Sequence, residues 1–410
     1  MADTRLEERF AAFEAQVTGT FRPAPITGMT TRVRRRRRLR RGLLTGFLAA
    51  LVATPAGGYA VAGYHDDARP GPTPTPTMTG PPRFDPVDRQ IAVPGVTWRD
   101  AHVRLALTDA AHGWAFFERC EDENESTTCT YALGVTADAG ATWNATALGT
   151  RADGRPVNIY PLDGRTLAVH VITKGFLLTT DGGATFTEYP ESEPPVQAQR
   201  VNAGGDFALL CPGATGFQDG ASSVECARPQ VYKIGAGAVT PQPTLRGDLA
   251  ELWQGGDGKL WLTSWDGDVT RVAISYDSAR TWQEVGPVPA AEAKLTLSPT
   301  GNEVWAVTDE PAGLWRLDGS RFVAQKGLPT EVFQHNVLAI GDGILLIKDG
   351  NDDTLTGGFW QDGRYQELAG LRTVGMSVLP DGTIVVVERG LTTVVGTGEG
   401  VHRTWTRFSS

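Results

Sequence analysis

The stretch TADAGATWNAT, Thr136 to Thr146, sets a hydroxyl, a carboxylate, a glycine and a tryptophan at fixed offsets. Asp138 is either a reacting group or the pin of a turn, and the choice decides how the chain is read. A short acceptor such as Asp can take backbone N–H bonds from its own tight turn, Gly supplies the positive φ that such a turn needs, and Trp143 can wedge into an adjoining core. These residues are explained by local folding without chemistry.

The pattern returns along the chain. TTDGGATF (Thr179 to Phe186) repeats it in full at Thr179, Asp181, Gly183, Thr185 and Phe186, as the first copy does at Thr136, Asp138, Gly140, Thr142 and Trp143. SYDSARTW repeats it at Ser275, Asp277, Thr281 and Trp282, with Ala279 where the glycine is expected. Degenerate copies follow in RLDGSRF (Asp318), WQDGRYQ (Asp362) and TGEGVHRTW (Glu399). Successive intervals are 43, 96, 41, 44 and 37 residues. The long one holds two periods, with a turn lacking Asp inside VYKIGAGAVTP (Val231 to Pro241). Seven units of the size of a four-stranded propeller blade result. Between them run short β-rich segments such as KLWLTSW, EVWAVTD, GILLIKD and GTIVVVERG, and no convincing amphipathic helix interrupts residues 90–410. The expected fold is all-β, a seven-bladed β-propeller over 90–410.

The pattern S/T-x-D-x-G-x-T-W/F resembles the Asp box, or BNR repeat, of sialidase-like and sortilin-like β-propellers. In those families the motif lies between the outer strands of a blade, away from the central pocket, so the resemblance implies a structural role for Asp138, Asp181 and Asp277. A sialidase-like exo-glycosidase would also need an arginine triad for the substrate carboxylate, a Tyr–Glu nucleophile pair and an Asp acid/base. The F/Y-R-I-P signature of that family is approached only by FRPAP at Phe21 to Pro25, which departs from it and precedes the apolar segment described next. Arg104, Arg200 and Arg246 fall in or beside expected innermost strands and are the arginines to place in the structure.

The N-terminal region has a different composition. Residues 1–41 carry 11 Arg against 4 acidic residues, while the remainder carries 27 basic and 43 acidic residues. Gly42 to Tyr64 is a run of 23 uncharged residues, long enough to cross a hydrocarbon core of about 30 Å. Eight Arg crowd its N-terminal side between Arg32 and Arg41, and Asp66 and Asp67 follow it, which predicts one membrane span with the N-terminus in the cytoplasm. A cleaved export signal is the competing reading, since ATPAGGYA offers small residues around a cleavage point. Directly before an apolar segment the Arg run is expected to set topology and meet anionic lipid rather than nucleic acid. A short helix over 5–17 sets Leu6, Phe10, Phe13 and Val17 on one stripe, an expected contact for a cytoplasmic protein partner or the bilayer surface. Residues 65–89 hold a Pro/Thr-rich linker, with seven prolines between Arg69 and Pro86.

Four cysteines form two local pairs, Cys120 with Cys129 and Cys211 with Cys226, each enclosing a polar, turn-rich loop. Two disulfides are expected, in keeping with an extracytoplasmic propeller. The spacings include no C-x-x-C, so no metal is expected, and no Walker, dinucleotide, H-E-x-x-H or G-x-S-x-G fingerprint calls for a cofactor or another enzyme class. The reading that follows is a binding or sensing module, probing an extracytoplasmic glycan or protein. Two alternatives stand beside it. The leader is similar in style to those of actinobacterial membrane regulators of extracytoplasmic-function sigma factors, though it lacks their zinc-binding His and Cys, and the repeats leave an exo-glycosidase as the other alternative.

Overall fold

The computed structural model describes residues 81–409 apart from 98–101, 121–128, 150–155, 172–173, 212–221, 227–228, 245–246, 248, 310–311, 330–331, 350–355 and 389–391. The segment 1–41 expected in the cytoplasm, the expected span 42–64 and most of the expected linker 65–89 lie outside the described residues, as do Leu6, Phe10, Phe13 and Val17. Among the described residues no helix is long and apolar enough to cross a membrane.

The strands fall into seven sheets. Blade one comprises β2 (His102–Leu107), β3 (Gly113–Cys120), β4 (Cys129–Thr136) and β5 (Asn144–Ala145). Blade two comprises β6 (Pro156–Pro161), β7 (Leu167–Val171), β8 (Gly175–Thr179) and β9 (Thr187–Tyr189). Blade three has only β10 (Phe207–Leu210), β12 (Gln230–Lys233) and β13 (Gly237–Ala238), while β11 (Ser223–Glu225) leaves it to join the next sheet. Blade four is β14 (Leu249–Gln254), β15 (Leu260–Asp266), β16 (Val269–Ser275) and β17 (Gln283–Val288). Blade five is β18 (Lys294–Leu297), β19 (Val304–Asp309), β20 (Ala312–Asp318) and β21 (Arg321–Ala324). Blade six is β22 (Val332–Gly341), β23 (Ile344–Asp349), β24 (Thr356–Gln361) and β25 (Arg364–Arg372). Blade seven is β26 (Gly375–Val378), β27 (Ile384–Val387), β28 (Thr393–Thr397) and β29 (Thr404–Ser409). The fold is a seven-bladed β-propeller.

Each blade is an antiparallel meander, and its second strand reads as a nearly unbroken apolar run because it is covered on both faces. ILLI of β23 and IVV of β27 are buried throughout. The turns that lead into these strands, GDGKLWL, PTGNEVWAV, GDGILLI and PDGTIVVV, are the links from first to second strand in blades four to seven. The core is not one mass but a series of seams between adjacent blades. Trp114, Phe116 and Tyr131 of blade one pack on Ile159, Val169 and Leu177 of blade two. Trp305 and Val307 of blade five pack on Ile347 and Trp360 of blade six.

The ring closes through the N-terminal side. β1 (Val87–Gln90) is a fifth strand on blade seven, parallel to β29, with Val87 opposite Thr406 and Gln90 opposite Ser409. Ile91 and Val93 then enter the seam between blades seven and one. Phe84 meets the Trp405 ring edge-on at 5.1 Å, and the Trp405 indole N–H donates to the Arg83 carbonyl at 3.1 Å. The propeller therefore begins before Gln90 and takes in the end of the Pro-rich stretch.

Blade three departs from the expectation of strands alone. Its innermost position is taken by α1 (Val196–Ala203), which packs Ala198 and Val201 on Tyr160, Ala168, Phe176 and Leu178 of blade two. The segment PPVQAQRVNAGG explains this. Pro195 stands at the N-cap, Ala and Gln favour helix, and Gly204 adopts φ 70° at the C-cap, its N–H and that of Gly205 bonding back to the last turn. The stretch is short and weakly amphipathic, so it carries little helical periodicity.

Candidate functional site

The turns that first suggested the fold are built alike. In blade one the Thr136 hydroxyl, buried with its residue, accepts from Gly140 N at 3.0 Å and donates to Asp138 Oδ1 at 2.9 Å. Asp138 then accepts from Thr142 N at 2.9 Å and from the Thr142 hydroxyl at 2.6 Å. Blade two repeats the set with Thr179, Asp181, Gly183 and Thr185, and blade four with Ser275, Asp277, Ala279 and Thr281. The buried amide thus goes to the Thr or Ser hydroxyl, whereas the carboxylate ties the far end of the turn. Trp143, Phe186 and Trp282 each enter a seam between blades.

The same turns touch the preceding blade. Ala147 N, just after β5, donates to the Gly183 carbonyl at 2.7 Å, and Arg89 Nη1 of β1 donates to the Ala139 carbonyl at 2.7 Å. A Cβ at Gly183 would lie 2.5 Å from Thr146 Cγ2, and one at Gly140 would lie 2.5 Å from the Phe408 ring. Ala279 holds the equivalent place at φ 67° with its methyl buried. Its neighbour is blade three, whose outer strand is two residues long, and the methyl packs there with Leu209 and Val231.

Hydrogen bonds from Thr142, side chain first, hold the Asp138 carboxyl near 2 rather than 3.8, and Thr185 does the same for Asp181. A depressed folded pKa contributes stability above the unfolded value that is lost as pH falls through the folded one. Melting temperature is therefore expected to decline between about pH 4 and pH 2, and Asp138→Asn/Asp181→Asn is expected to flatten that region of the profile. Thr179→Val, which strands the Gly183 amide, is expected to cost about 1–3 kcal/mol in denaturant unfolding. Thr179→Ser, the residue type found at Ser275, is expected to be nearly neutral.

Two of the three arginines are described, and each has a local partner. Arg104 on β2 stacks over Phe116 with 4.7 Å to the ring centroid and sits 3.9 Å from Glu118, burial lowering its pKa against the raising effect of that carboxylate. Arg200 on α1 pairs with Asp206 at 3.0 Å, two blades away from Arg104. Arg246 lies outside the described residues.

Sequence reasoning missed a histidine–carboxylate pair in blade two, with His170 buried and Glu191 exposed. His170 on β7 places Nε2 2.8 and 2.9 Å from the two Glu191 oxygens and stacks on Phe176 at 4.4 Å. Tyr160 is pushed up to about 12, chiefly by burial, with Glu191 adding to the rise. His170 on β7 and Glu191 in the turn after β9 stand 21 residues apart, so no local motif could have joined them.

One of the two cysteine pairs is a disulfide among the described residues. Cys211 and Cys226 are disulfide-bonded with Cα atoms 5.9 Å apart, and the β3–β4 register sets Cys120 directly opposite Cys129. The Cys211–Cys226 bond brackets the stretch that carries β11. This strand lies antiparallel on the free edge of β14, the first strand of blade four, with Ser223 opposite Glu251, Val224 opposite Ala250 and Leu252 N donating to the Ser222 carbonyl at 2.6 Å. First strands of neighbouring blades pack on one another around the axis, as β18, β22 and β26 do, so β11 lies on the channel side. There Glu251 Oε2 and Trp253 Nε1 are buried with no hydrogen-bond partner, and Lys294 Nζ stands 5.5 Å over the Trp253 ring.

No family model matches the chain, and no curated protein matches it. Similar solved structures include "YCF48 bound to D1 peptide", 16% identical over 77% of this chain and 88% of that one, with a TM-score of 0.31. A GH74 enzyme of Niastella koreensis is 15% identical over 76% of this chain at a TM-score of 0.34. An acylaminoacyl peptidase of Pyrococcus horikoshii is 12% identical over 76% of this chain at a TM-score of 0.44. The chain spans 55% of the GH74 enzyme and 52% of the peptidase. The likeness is one of fold, and the blade count rests on the chain's own seven sheets.

Proposed function

We propose that the chain is a membrane-anchored, extracytoplasmic Asp-box β-propeller that acts as a binding or sensing module and not as a hydrolase. The observation that carries this reading is the commitment of Asp138, Asp181 and Asp277: both oxygens of each are held within its own turn, which serves folding rather than turnover. Arg104 and Arg200, which a sialidase-like site would turn on a substrate carboxylate, already have partners of their own in Glu118 and Asp206. The anchor is supported by the charge asymmetry around Gly42 to Tyr64 and by the disulfide of the propeller. Ligand capture then falls to the face carrying the links from second to third strands and between blades, with a glycan or protein as the ligand class, while Leu6, Phe10, Phe13 and Val17 offer a cytoplasmic contact.

Protease added to protoplasts tests the arrangement. The propeller is expected to be removed while the first 41 residues stay protected. A secreted mature chain starting near Gly57 would overturn the anchor in favour of cleaved export.

A further inference from the structure

We infer that the channel-side edge of β14 is an acceptor for an extended peptide strand carrying Arg or Lys followed by an aliphatic residue, and that β11 is a tethered occupant of that edge. This deepens the binding-module reading and rests on it. A first strand of a blade leaves one row of backbone N–H and C=O groups toward the axis, the template for strand addition. On β14 that row already accepts an antiparallel strand, which shows that the edge is reachable and in register for pairing. The occupant is minimal. It pairs three residues, Ser223 to Glu225, and the next residue, Cys226, is disulfide-bonded to Cys211 at the end of β10. The cross-link holds the short strand at high effective concentration, as linkage does for any weak module.

The chemistry of the edge specifies the ligand. Val224 packs into the seam formed by Phe207, Leu209 and Leu252, so an aliphatic residue belongs at that place. One residue earlier, Ser223 faces Glu251, whose Oε2 is buried and has no hydrogen-bond partner. Directly opposed residues on an antiparallel pair bring their Cβ atoms to within about 4.5–5.5 Å, a span that an Arg or Lys head crosses easily. Serine leaves the carboxylate oxygen unanswered, whereas a cationic side chain would complete it. The internal strand therefore matches the apolar half of the edge and not the charged half, as suits an occupant that can be displaced.

The test uses the full chain with the constraining cross-link removed, Cys211→Ser/Cys226→Ser, here called untethered, and two labelled peptides covering residues 219–228 with serine at the Cys226 position. One keeps Ser223 and the other carries Ser223→Arg. Anisotropy is expected to show the arginine peptide binding the untethered chain about fivefold or more tighter than the serine peptide. Glu251→Gln should abolish that difference, and the tethered chain should bind both peptides at least tenfold more weakly. Equal binding of the two peptides, or a preference that survives Glu251→Gln, overturns the inference. A second measurement leaves the disulfide intact. Ser223→Arg in the chain should slow hydrogen exchange of the Leu252 amide severalfold, and unchanged or faster exchange overturns the proposed pairing. Failure of these measurements with the propeller still exposed on protoplasts removes the peptide edge alone, whereas an unanchored or inward-facing propeller removes the wider reading.

Discussion

Replacing Trp360 by alanine is expected to lower stability by about 3–5 kcal/mol, the usual cost of emptying a buried aromatic site. Trp360 is 1% exposed, packs edge-on against Trp305 with centroids 5.4 Å apart and donates its indole N–H to the Lys326 carbonyl at 3.0 Å. It therefore belongs to blade six, while Trp305 belongs to blade five and Lys326 to the link between the two. At about 2–4 °C per kcal/mol for a large domain, the melting temperature should fall by roughly 10 °C. Trp360→Phe keeps the ring contact and loses the hydrogen bond, so it should recover more than half of the loss. A small effect of the alanine variant in calorimetry would mean that the seam between these blades is not where stability resides.

Gly327→Ala is expected to be comparably damaging for a different reason. Gly327 adopts φ 81°, and a Cβ there would stand 1.9 Å from the Gly363 carbonyl oxygen of the next blade. The left-handed conformation costs an L-residue about 1–2 kcal/mol, and forcing a methyl into a backbone wall costs about 1–3 more. The sum, about 2–5 kcal/mol, should appear in denaturant unfolding as a lower midpoint. Gly319→Ala is the control, since its φ of 57° carries the first cost while its Cβ would meet nothing within 4 Å. Similar losses at both positions would contradict the steric argument.

Blade number was legible because the turn between third and fourth strands places strong demands on a few residues. Two successive positive φ values, at Ala139 and Gly140 or at Gly182 and Gly183, require the right side chains, and a hydroxyl two residues before the Asp closes the buried amide. Even the Asp-less copy fell in place, between β12 and β13. The cysteine staple at Cys211 and Cys226 was legible for the same reason, being a local constraint. What escaped were contacts without a local signal. The exchange of an inner strand for α1 rests on a few small residues fitting Phe176 and Tyr160 of another blade, and β11 pairs with a strand of blade four across more than twenty residues. The His170–Glu191 pair is non-local in the same way. The role of Asp181 also needed the structure: its carboxylate holds Thr185, while the buried Gly183 amide depends on Thr179.

The placement of β1 fixes how the ring meets mechanical load. Blade seven is complete in β26 to β29, and β1 is added outside it, parallel to β29. Tension entering through the chain ahead of Val87 first meets Phe84 on Trp405 and then four strand pairs along the outer edge. Pulled along their length, parallel neighbours share the load across every pair at once; pulled outward, they unzip pair by pair. Either way β1 can detach without taking a strand from blade seven, because β26 to β29 all come from the other end of the chain. Release of β1 would leave the four strands β26 to β29 in place and free the seam at Ile91 and Val93.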